Sequence, residues 1–134
     1  MIIVDTSILA YLYLPGEFTE HAEALLVKEP EWAAPVLWRS EFRNILTGYM
    51  RRGTLSANQA FAIQQEAESL MASNEQFVDS GAVLQLASSS DCSAYDCEFV
   101  AAAQALGVGL VTMDGKLLKA FPKIAKPLFK ADLS

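Results

Sequence analysis

The chain has 134 residues, of which 52% are hydrophobic and 19% are charged, and its net charge is −6. This length and composition predict a single globular domain over residues 1–134 and exclude a disordered chain. The apolar run from Ile8 to Leu14 is too short to cross a bilayer and no basic segment precedes it. We therefore expect a soluble, cytoplasmic protein that has no membrane partner.

The charges are distributed unevenly along the chain. Residues 39–52 hold four arginines and one acid, and residues 116–134 hold five lysines and one acid, while the stretch before each block is acidic. An acidic protein is a poor default binder of nucleic acid, but these two basic blocks are compatible with a positive rim around a negative site. Ordinary solvated helix faces also explain each block taken alone.

The few cysteines and histidines limit the metal chemistry that is available. Cys92 and Cys97 stand five residues apart, without the spacing of a zinc ligand pair, and are expected to be free, packed thiols in a reducing compartment. His21 is the single histidine and falls among polar residues, which indicates an exposed side chain. Zinc sites and catalytic arrangements that need several histidines are therefore disfavoured.

The first predicted element is a short buried strand that ends at a carboxylate. Residues 2–4 favour a strand, Asp5 follows, and a helix is predicted from Thr6 to Leu14, before the break at Pro15-Gly16. Ligands of open parallel sheets bind beyond the carboxyl ends of the strands, so Asp5 is a candidate ligand-binding residue. It is equally a candidate cap of the following helix, and this stretch alone leaves both interpretations open.

The next elements are a helix at Glu20–Lys28, a short extended segment at Trp32–Pro35 and a helix at Val36–Arg52. Apolar residues at helical spacing predict the buried stripe of the last of these helices, namely Trp38, Phe42, Ile45, Leu46 and Tyr49.

Two polar side chains of this helix emerge at the margin of its buried stripe. Glu41 and Asn44 are three residues apart beside the stripe, whereas Arg39 and Arg43 point to the opposite side. Glu41 therefore has no arginine on its own face with which to pair. A glutamate in this position is usually exposed, so a functional role for Glu41 needs support from the rest of the chain.

The middle of the chain is predicted to be structural. Residues 56–59 form a capping box for a helix that runs to about Ala72. A brief strand is predicted at residues 76–78, and Asp79 is predicted to cap a short helix over residues 82–87. The predicted apolar contacts of the longer helix are Phe61, Ala62, Ala67, Leu70 and Met71.

The most apolar helix of the chain, Ala94–Leu106, carries a carboxylate on its apolar face. Asp96 shares this face with Phe99, Val100 and Ala103, while Glu98 is expected to be exposed. A buried carboxylate without a partner is costly. Capping of the first helical turn is one way to compensate Asp96, and a bound cation is another.

The last part of the chain repeats the pattern of the opening. An apolar strand, Val108–Met113, ends at Asp114, and a short basic helix follows over Gly115–Phe121. An edge strand is predicted at Lys126–Phe129, where a proline is tolerated. Alternating strands and helices predict an α/β fold with a parallel sheet, so Asp5 and Asp114 would meet at one edge.

Four acids therefore converge in this prediction. Asp96 begins the helix before the second of these strands, and Glu41 lies near the start of its own helix, so both can reach the edge that holds Asp5 and Asp114. Clustered carboxylates repel one another unless a cation neutralises them, and oxygen ligands favour Mg²⁺ or Mn²⁺. Such a site suits the hydrolysis of phosphodiester bonds.

Four stretches of the chain, in order, resemble the PIN-domain family, and within it most of all the VapC-like toxins of prokaryotic toxin–antitoxin pairs. These stretches are Ile2-Ile3-Val4-Asp5-Thr6-Ser7, Trp38-Arg39-Ser40-Glu41-Phe42-Arg43-Asn44, Ser93-Ala94-Tyr95-Asp96 and Leu110-Val111-Thr112-Met113-Asp114. The resemblance covers essentially the whole chain. It implies a three-layer α/β/α sandwich with a central parallel sheet, and an endoribonuclease that depends on Mg²⁺ or Mn²⁺.

The resemblance also implies roles for individual residues. By motif position the catalytic and metal-binding quartet is Asp5, Glu41, Asp96 and Asp114; the polar supports are Thr6 and Thr112, with Asn44 as a support or substrate contact; and the candidate contacts with RNA or an antitoxin are Arg39, Arg43, Arg51, Arg52 and Lys116. Members of this family form homodimers and are inhibited by a cognate antitoxin. Asp91 is an extra acid near the third motif to which the resemblance gives no role.

Two alternatives belong to other functional classes. The chain could be a non-catalytic PIN scaffold that binds a protein partner or RNA and keeps its acids for folding. It could also be a phosphatase of the haloacid-dehalogenase type, which likewise begins with an aspartate at the end of a strand. That chemistry needs a second acid two residues later, where this chain has Ser7, so this alternative ranks last.

Overall fold

The computed structural model describes residues 1–129, and these residues form one five-stranded sheet with helices on both faces. The sheet order is β3-β2-β1-β4-β5, and every neighbouring pair is parallel. The strands are β1 (Ile2–Val4), β2 (Trp32–Pro35), β3 (Glu75–Gln76), β4 (Leu110–Val111) and β5 (Ala125–Lys126). The α/β class and the parallel sheet predicted from the sequence are confirmed.

Helices form the two outer layers of the sandwich. The helices of residues 1–129 are α1 (Thr6–Tyr13), α2 (Thr19–Lys28), α3 (Trp38–Arg51), α4 (Ala57–Met71), α5 (Ser80–Ser88), α6 (Ala94–Leu106) and α7 (Gly115–Ala120). The helix α6 packs against β1, β2 and β4 and also contacts α5, whereas α1 and α4 contact β1 and β2 respectively and pack with α3. None of them is long and apolar enough to cross a membrane.

The strand order places a switch point at the centre of the sheet. From β1 the chain adds β2 and then β3 on one side, and it later adds β4 and β5 on the other. Ile3 pairs with Ala33 of β2 and with Leu110 of β4, so β1 has a neighbour on both sides. In open parallel sheets ligands bind beyond the carboxyl ends of the strands at such a point. Here that crevice lies between the ends of β1 and β4.

Local signals set the ends of the helices. The side chain of Ser56 accepts a hydrogen bond from the backbone N–H of Gln59 and the side chain of Gln59 returns one, which completes the predicted capping box of α4. Gly107 closes α6 with a φ of 66°, a conformation that glycine adopts without steric cost. These interactions are local, which explains why the predicted bounds of α4 and α6 are close to those observed.

The predicted strands and one buried face needed correction. The strand predicted at residues 76–78 is Glu75–Gln76, and the Phe77 side chain is 94% exposed. The strand predicted over residues 108–113 has only two residues, Leu110 and Val111, and the edge strand is Ala125–Lys126. Phe61 and Ala62 are exposed instead of packed, because the buried face of α4 is formed by Ala60, Ala67 and Met71.

Candidate metal centre and active site

Four acids line one cleft at the carboxyl ends of β1 and β4. The cleft has a volume of about 270 Å³. Each acid comes from a different part of the chain: one follows β1, one lies on α3, one lies on α6 and one precedes α7. The residues that line the cleft are Asp5, Thr6, Ser7, Glu41, Asn44, Ile45, Asp96 and Asp114. The fold thus brings together all four acids that the sequence identified, with Thr6 and Asn44 beside them.

A single buried hydroxyl connects Asp5 with Asp114. The hydroxyl of Thr112 donates to Oδ2 of Asp5 at 2.6 Å and accepts from the backbone N–H of Asp114 at 3.0 Å. Oδ1 of Asp5 accepts from the backbone N–H of Ser7 at 3.1 Å, so Asp5 also caps α1. The cap interpretation of Asp5 is therefore confirmed, and ligand binding by the same side chain, which lines the cleft, stays a prediction.

A second buried hydroxyl holds Glu41. The hydroxyl of Thr6 donates to Oε1 of Glu41 at 2.7 Å. Burial raises the pKa of Glu41, the hydrogen bond from Thr6 lowers it, and the negative charges of Asp5 and Asp96 raise it further. Among residues 1–129, Thr6 and Thr112 are the buried polar residues, at 3% and 0% exposure, and both donate to acids of this cleft.

Asp96 is half-buried at the start of α6, but it is not the cap of that helix. The cap is Ser93, whose hydroxyl accepts from the backbone N–H of Asp96 at 3.1 Å. Burial raises the pKa of Asp96, and the charges of Asp114 and Asp5 raise it further, while Ser93 and Lys116 lower it. Capping therefore does not compensate the burial of Asp96, and its neighbouring charges include two other carboxylates, those of Asp114 and Asp5.

Asp114 caps α7 with Oδ1, and its Oδ2 has no hydrogen-bond partner among residues 1–129. Its Oδ1 accepts from the backbone N–H of Lys116 at 2.8 Å and of Leu117 at 3.4 Å. The same side chain lines the acidic cleft. Like Asp5, Asp114 therefore combines a local capping bond with a place among the four acids.

The charge and the donor atoms of the cleft fit a hard divalent cation. Its ionisable side chains are all carboxylates, and burial together with mutual repulsion makes the charged forms of Glu41 and Asp96 costly. Within residues 1–129, however, no three Asp, Glu, His or Cys side chains lie close enough together to form a complete metal-binding set. The donor chemistry fits, whereas a finished coordination shell is not preformed.

Comparison with known families identifies the fold that carries this cleft. A family model described as PIN domain matches residues 2–125. The chain belongs to the PIN-domain family. As a PIN domain it is 31% identical over 132 residues to a protein named ribonuclease VapC3 from Pyrobaculum aerophilum, covering 94% of this chain and 98% of that protein.

Solved structures share the same PIN fold. The crystal structure of PAE2754 from Pyrobaculum aerophilum matches with a TM-score of 0.76 at 23% identity, over 95% of this chain and 90% of that chain. A chain of a toxin–antitoxin complex from Klebsiella pneumoniae matches with a TM-score of 0.71 at 17% identity, over 98% and 100% of the two chains. At these identities the likeness concerns the fold.

The basic residues of this PIN domain lie in different surroundings. Arg39 is not at the cleft: it forms salt bridges with Glu75 at 2.6 Å and with Glu68 at 2.8 Å. Arg43 lines a separate groove between α3 and α4, and the guanidinium of Arg52 lies 4.6 Å from the centre of the Tyr49 ring. Arg51 is exposed at the end of α3, whereas Lys116 lies two residues after Asp114 in the first turn of α7.

Three residues of this region, Ser7, Ile45 and Glu98, were not predicted to belong to it from the sequence. Ser7 and Ile45 line the cleft, and Ser7 supplies a backbone N–H to Asp5. Glu98 was expected to be exposed, which is wrong: it is half-buried, burial raises its pKa, and its charge contributes to the raised pKa of Glu41. Helical spacing shows that Glu98 leaves the face of Asp96, but not that other elements cover it.

Proposed function

We propose that this protein is a divalent-metal-dependent endoribonuclease that hydrolyses RNA phosphodiester bonds and acts as the toxin of a toxin–antitoxin pair. One observation carries the proposal: four acids from four separate parts of the chain line a single cleft at the switch point of the sheet. Membership of the PIN-domain family and the identity with a protein named ribonuclease VapC3 support the same function.

In this proposal Asp5, Asp96 and Asp114 would bind Mg²⁺ or Mn²⁺, with Glu41 at the margin of the site. Because no three of these side chains form a complete metal-binding set within residues 1–129, water would supply the remaining ligands of the ion. Carboxylate oxygens are the ligands that these ions prefer. When bound, the ion supplies positive charge beside the attacked phosphate and makes water more acidic. The hydroxyl of Thr112 orients the Asp5 carboxylate, because it donates to Oδ2 from a fully buried position.

Glu41 is the proposed proton acceptor. Its Oε1 is held by the hydroxyl of Thr6, and its Oε2 has no hydrogen-bond partner among residues 1–129. Burial and the neighbouring acids raise the pKa of Glu41, which makes it a better base than an exposed glutamate. Asn44 lines the same cleft and is exposed, so its amide can contact the RNA.

Cleavage of a single-stranded RNA oligonucleotide tests this function. We expect cleavage with Mg²⁺ or Mn²⁺, loss of cleavage with EDTA, and a loss of about a hundredfold or more in Asp96→Asn and Asp5→Asn. The matched control is Asp79→Asn, because Asp79 caps α5 as Asp5 caps α1 and does not line the cleft. Full activity of Asp5→Asn and Asp96→Asn would rule the proposal out.

The capping bonds of Asp5 and Asp114 favour a second candidate, a non-catalytic PIN scaffold whose acids serve folding. The same substitutions separate the two functions, because asparagine caps helices about as well as aspartate. A nuclease loses activity in both Asp5→Asn and Asp114→Asn, and Asp114→Asn keeps its stability because an amide oxygen can still accept the two backbone N–H bonds. A scaffold shows no cleavage at all, and calorimetry detects no Mg²⁺ or Mn²⁺ binding.

The proposal includes two protein partners, a cognate antitoxin and a second copy of the chain. Phe77 and Leu84 are 94% and 64% exposed and line a groove of about 400 Å³, and exposed apolar surface of this kind favours protein contacts. Light scattering should report a dimer that Phe77→Ser weakens.

Co-expression with the product of an adjacent small gene should give a complex that no longer cleaves RNA.

A further inference from the structure

A second cleft adjoins the acidic one across the first turn of α7. It has a volume of about 460 Å³ and is lined by Ser89, Ser90, Asp91, Lys116, Lys119 and Ala120. Lys116 connects the two clefts, since it lines the second cleft while its backbone N–H donates to Asp114, which lines the acidic one. Lys116 therefore lies where the two clefts adjoin.

The two lysines of this second cleft are available for a ligand. Lys116 and Lys119 are three residues apart on α7, so they share a face, and both are exposed. Neither forms a salt bridge with any residue in the range 1–129. Arg39 differs from them, because two glutamates neutralise it. An anion that enters the second cleft meets two cations that form no ion pair with a carboxylate of the described part of the chain.

The opposite wall of the second cleft carries two serines, Ser89 and Ser90, whose hydroxyl hydrogens are already used in hydrogen bonds. It is formed where α5 ends, and the carbonyl oxygens at the end of a helix carry partial negative charge. The hydroxyl of Ser89 donates to the carbonyl of Gln85 at 3.1 Å, and that of Ser90 donates to Leu86 at 2.8 Å. The serines use their hydrogens in these bonds, so the lysines are left as the donors.

We propose that Lys116 and Lys119 bind a phosphate of the RNA next to the one that is cleaved in the acidic cleft. This inference rests on the proposed ribonuclease function. The two lysines would offset electrostatic repulsion, because the net charge of −6 and the four carboxylates both repel an RNA strand. Asp91, the acid without a place in the four-acid site, lines the same cleft and weakens this phosphate contact.

Two substitutions of opposite effect test the phosphate subsite. Lys119→Gln should raise KM on an RNA oligonucleotide roughly threefold to tenfold and change kcat much less. Asp91→Asn should lower KM, because it removes a negative charge from the cleft. Lys119→Gln should also reduce the salt slope of RNA binding by about 0.7, the value for one phosphate contact on a single strand. The matched control is Lys123→Gln, an exposed lysine just beyond α7 that does not line the cleft.

Substrate length adds a readout that a structural role does not move. A dinucleoside monophosphate carries only the scissile phosphate, so Lys119→Gln should impair its cleavage much less than that of the oligonucleotide. An equal loss on both substrates would show that Lys119 acts through the fold and would overturn the inference. So would a change in Lys123→Gln as large as that in Lys119→Gln.

The failures of the two proposals remain distinguishable. If the wild type cleaves RNA and neither Lys119→Gln nor Asp91→Asn changes KM, the subsite is wrong and the ribonuclease stands. If the wild type does not cleave RNA, the ribonuclease proposal fails and the affinity for a labelled RNA, measured by fluorescence anisotropy, tests the subsite alone. The subsite is supported only if Lys119→Gln weakens binding and Asp91→Asn strengthens it. Polyglutamate bound as tightly as RNA, with the same dependence on both residues, would instead assign the cleft to an acidic peptide.

Discussion

At the scale of single residues, two threonines organise the acidic cleft. Thr6 and Thr112 are buried, carry no charge, and each donates its hydrogen to one carboxylate, Glu41 and Asp5 respectively. A hydroxyl can orient an acid in this way without neutralising it, unlike an arginine or a lysine. The cleft therefore keeps its negative charge while its acids keep their orientation.

Replacing Thr112 by valine keeps the shape of the side chain and removes both of its hydrogen bonds. The carboxylate of Asp5 and the backbone N–H of Asp114 would each lose a partner, so we expect a loss of about 1–3 kcal/mol in the free energy of unfolding and reduced RNA cleavage. Urea unfolding and cleavage rates measure both effects. Thr54→Val, at an exposed threonine, is the control, and equal effects of the two substitutions would contradict this account.

Asp96→Asn should stabilise the metal-free protein at neutral pH. Burial and the charges of Asp114 and Asp5 raise the pKa of Asp96, so the ionised side chain costs stability that a neutral amide does not. The melting temperature in EDTA should therefore rise, although the same variant is expected to lose activity. Asp79→Asn, at an exposed cap, should bring no such gain, and a lower melting temperature for Asp96→Asn would contradict the prediction.

At the scale of elements, the two-residue strand β3 is anchored to α3 through a carboxylate. Oε2 of Glu75 accepts from the indole N–H of Trp38 at 3.0 Å and from Nε of Arg39 at 2.6 Å, while Oε1 accepts from a second nitrogen of Arg39 at 2.6 Å. Glu75 is largely buried and Trp38 fully so. These bonds hold the start of α3, and with it Glu41, against the edge of the sheet.

Glu75→Gln should lower the free energy of unfolding by about 1–3 kcal/mol at neutral pH, because it removes a charged partner of Arg39. Arg39 lowers the pKa of Glu75 from its ordinary value of 4.5. The stabilisation is therefore present above pH 4.5 and is lost as the pH falls through the lowered pKa of the folded state.

Unfolding curves of wild type and Glu75→Gln should thus converge in acid. Glu23→Gln, at an exposed glutamate of α2, should show no difference at any pH. A gap between Glu75→Gln and wild type that stays constant into acid would mean that packing, and not the ion pair, accounts for the loss.

At the scale of the whole molecule, metal binding should be coupled to stability. A cation that binds the folded cleft and not the unfolded chain stabilises by about 2.7 kcal/mol at a concentration of one hundred times its Kd. We expect Mg²⁺ to raise the melting temperature of the wild type and to leave Asp96→Asn nearly unchanged. Sodium chloride at equal ionic strength is the control, since an equal shift there would indicate screening of the net charge of −6 instead of a site.

Much of the fold was predictable because its signals are local. The capping box of α4, the glycine at the end of α6 and the aspartate caps at Asp5 and Asp79 act within a few residues, and the structure has these helix ends close to where they were predicted. The two-residue strands were harder to locate, since a strand is defined by the neighbour with which it pairs. Phe61 was predicted to be buried because its side chain is apolar. In the structure it lines the groove between α3 and α4 and is 64% exposed.

The order and spacing of the four acidic motifs predicted the family, the parallel sheet and which four acids line one cleft, because these depend on which residues follow which strand. Only the tertiary structure decided how the acids are held. Thr112 reaches Asp5 across 107 residues, Thr6 reaches Glu41 across 35, and Arg39 is turned away from the cleft by Glu75, 36 residues on. Such partners meet only when strands and helices pack, and no period or spacing in the sequence encodes a contact between two side chains on separate elements.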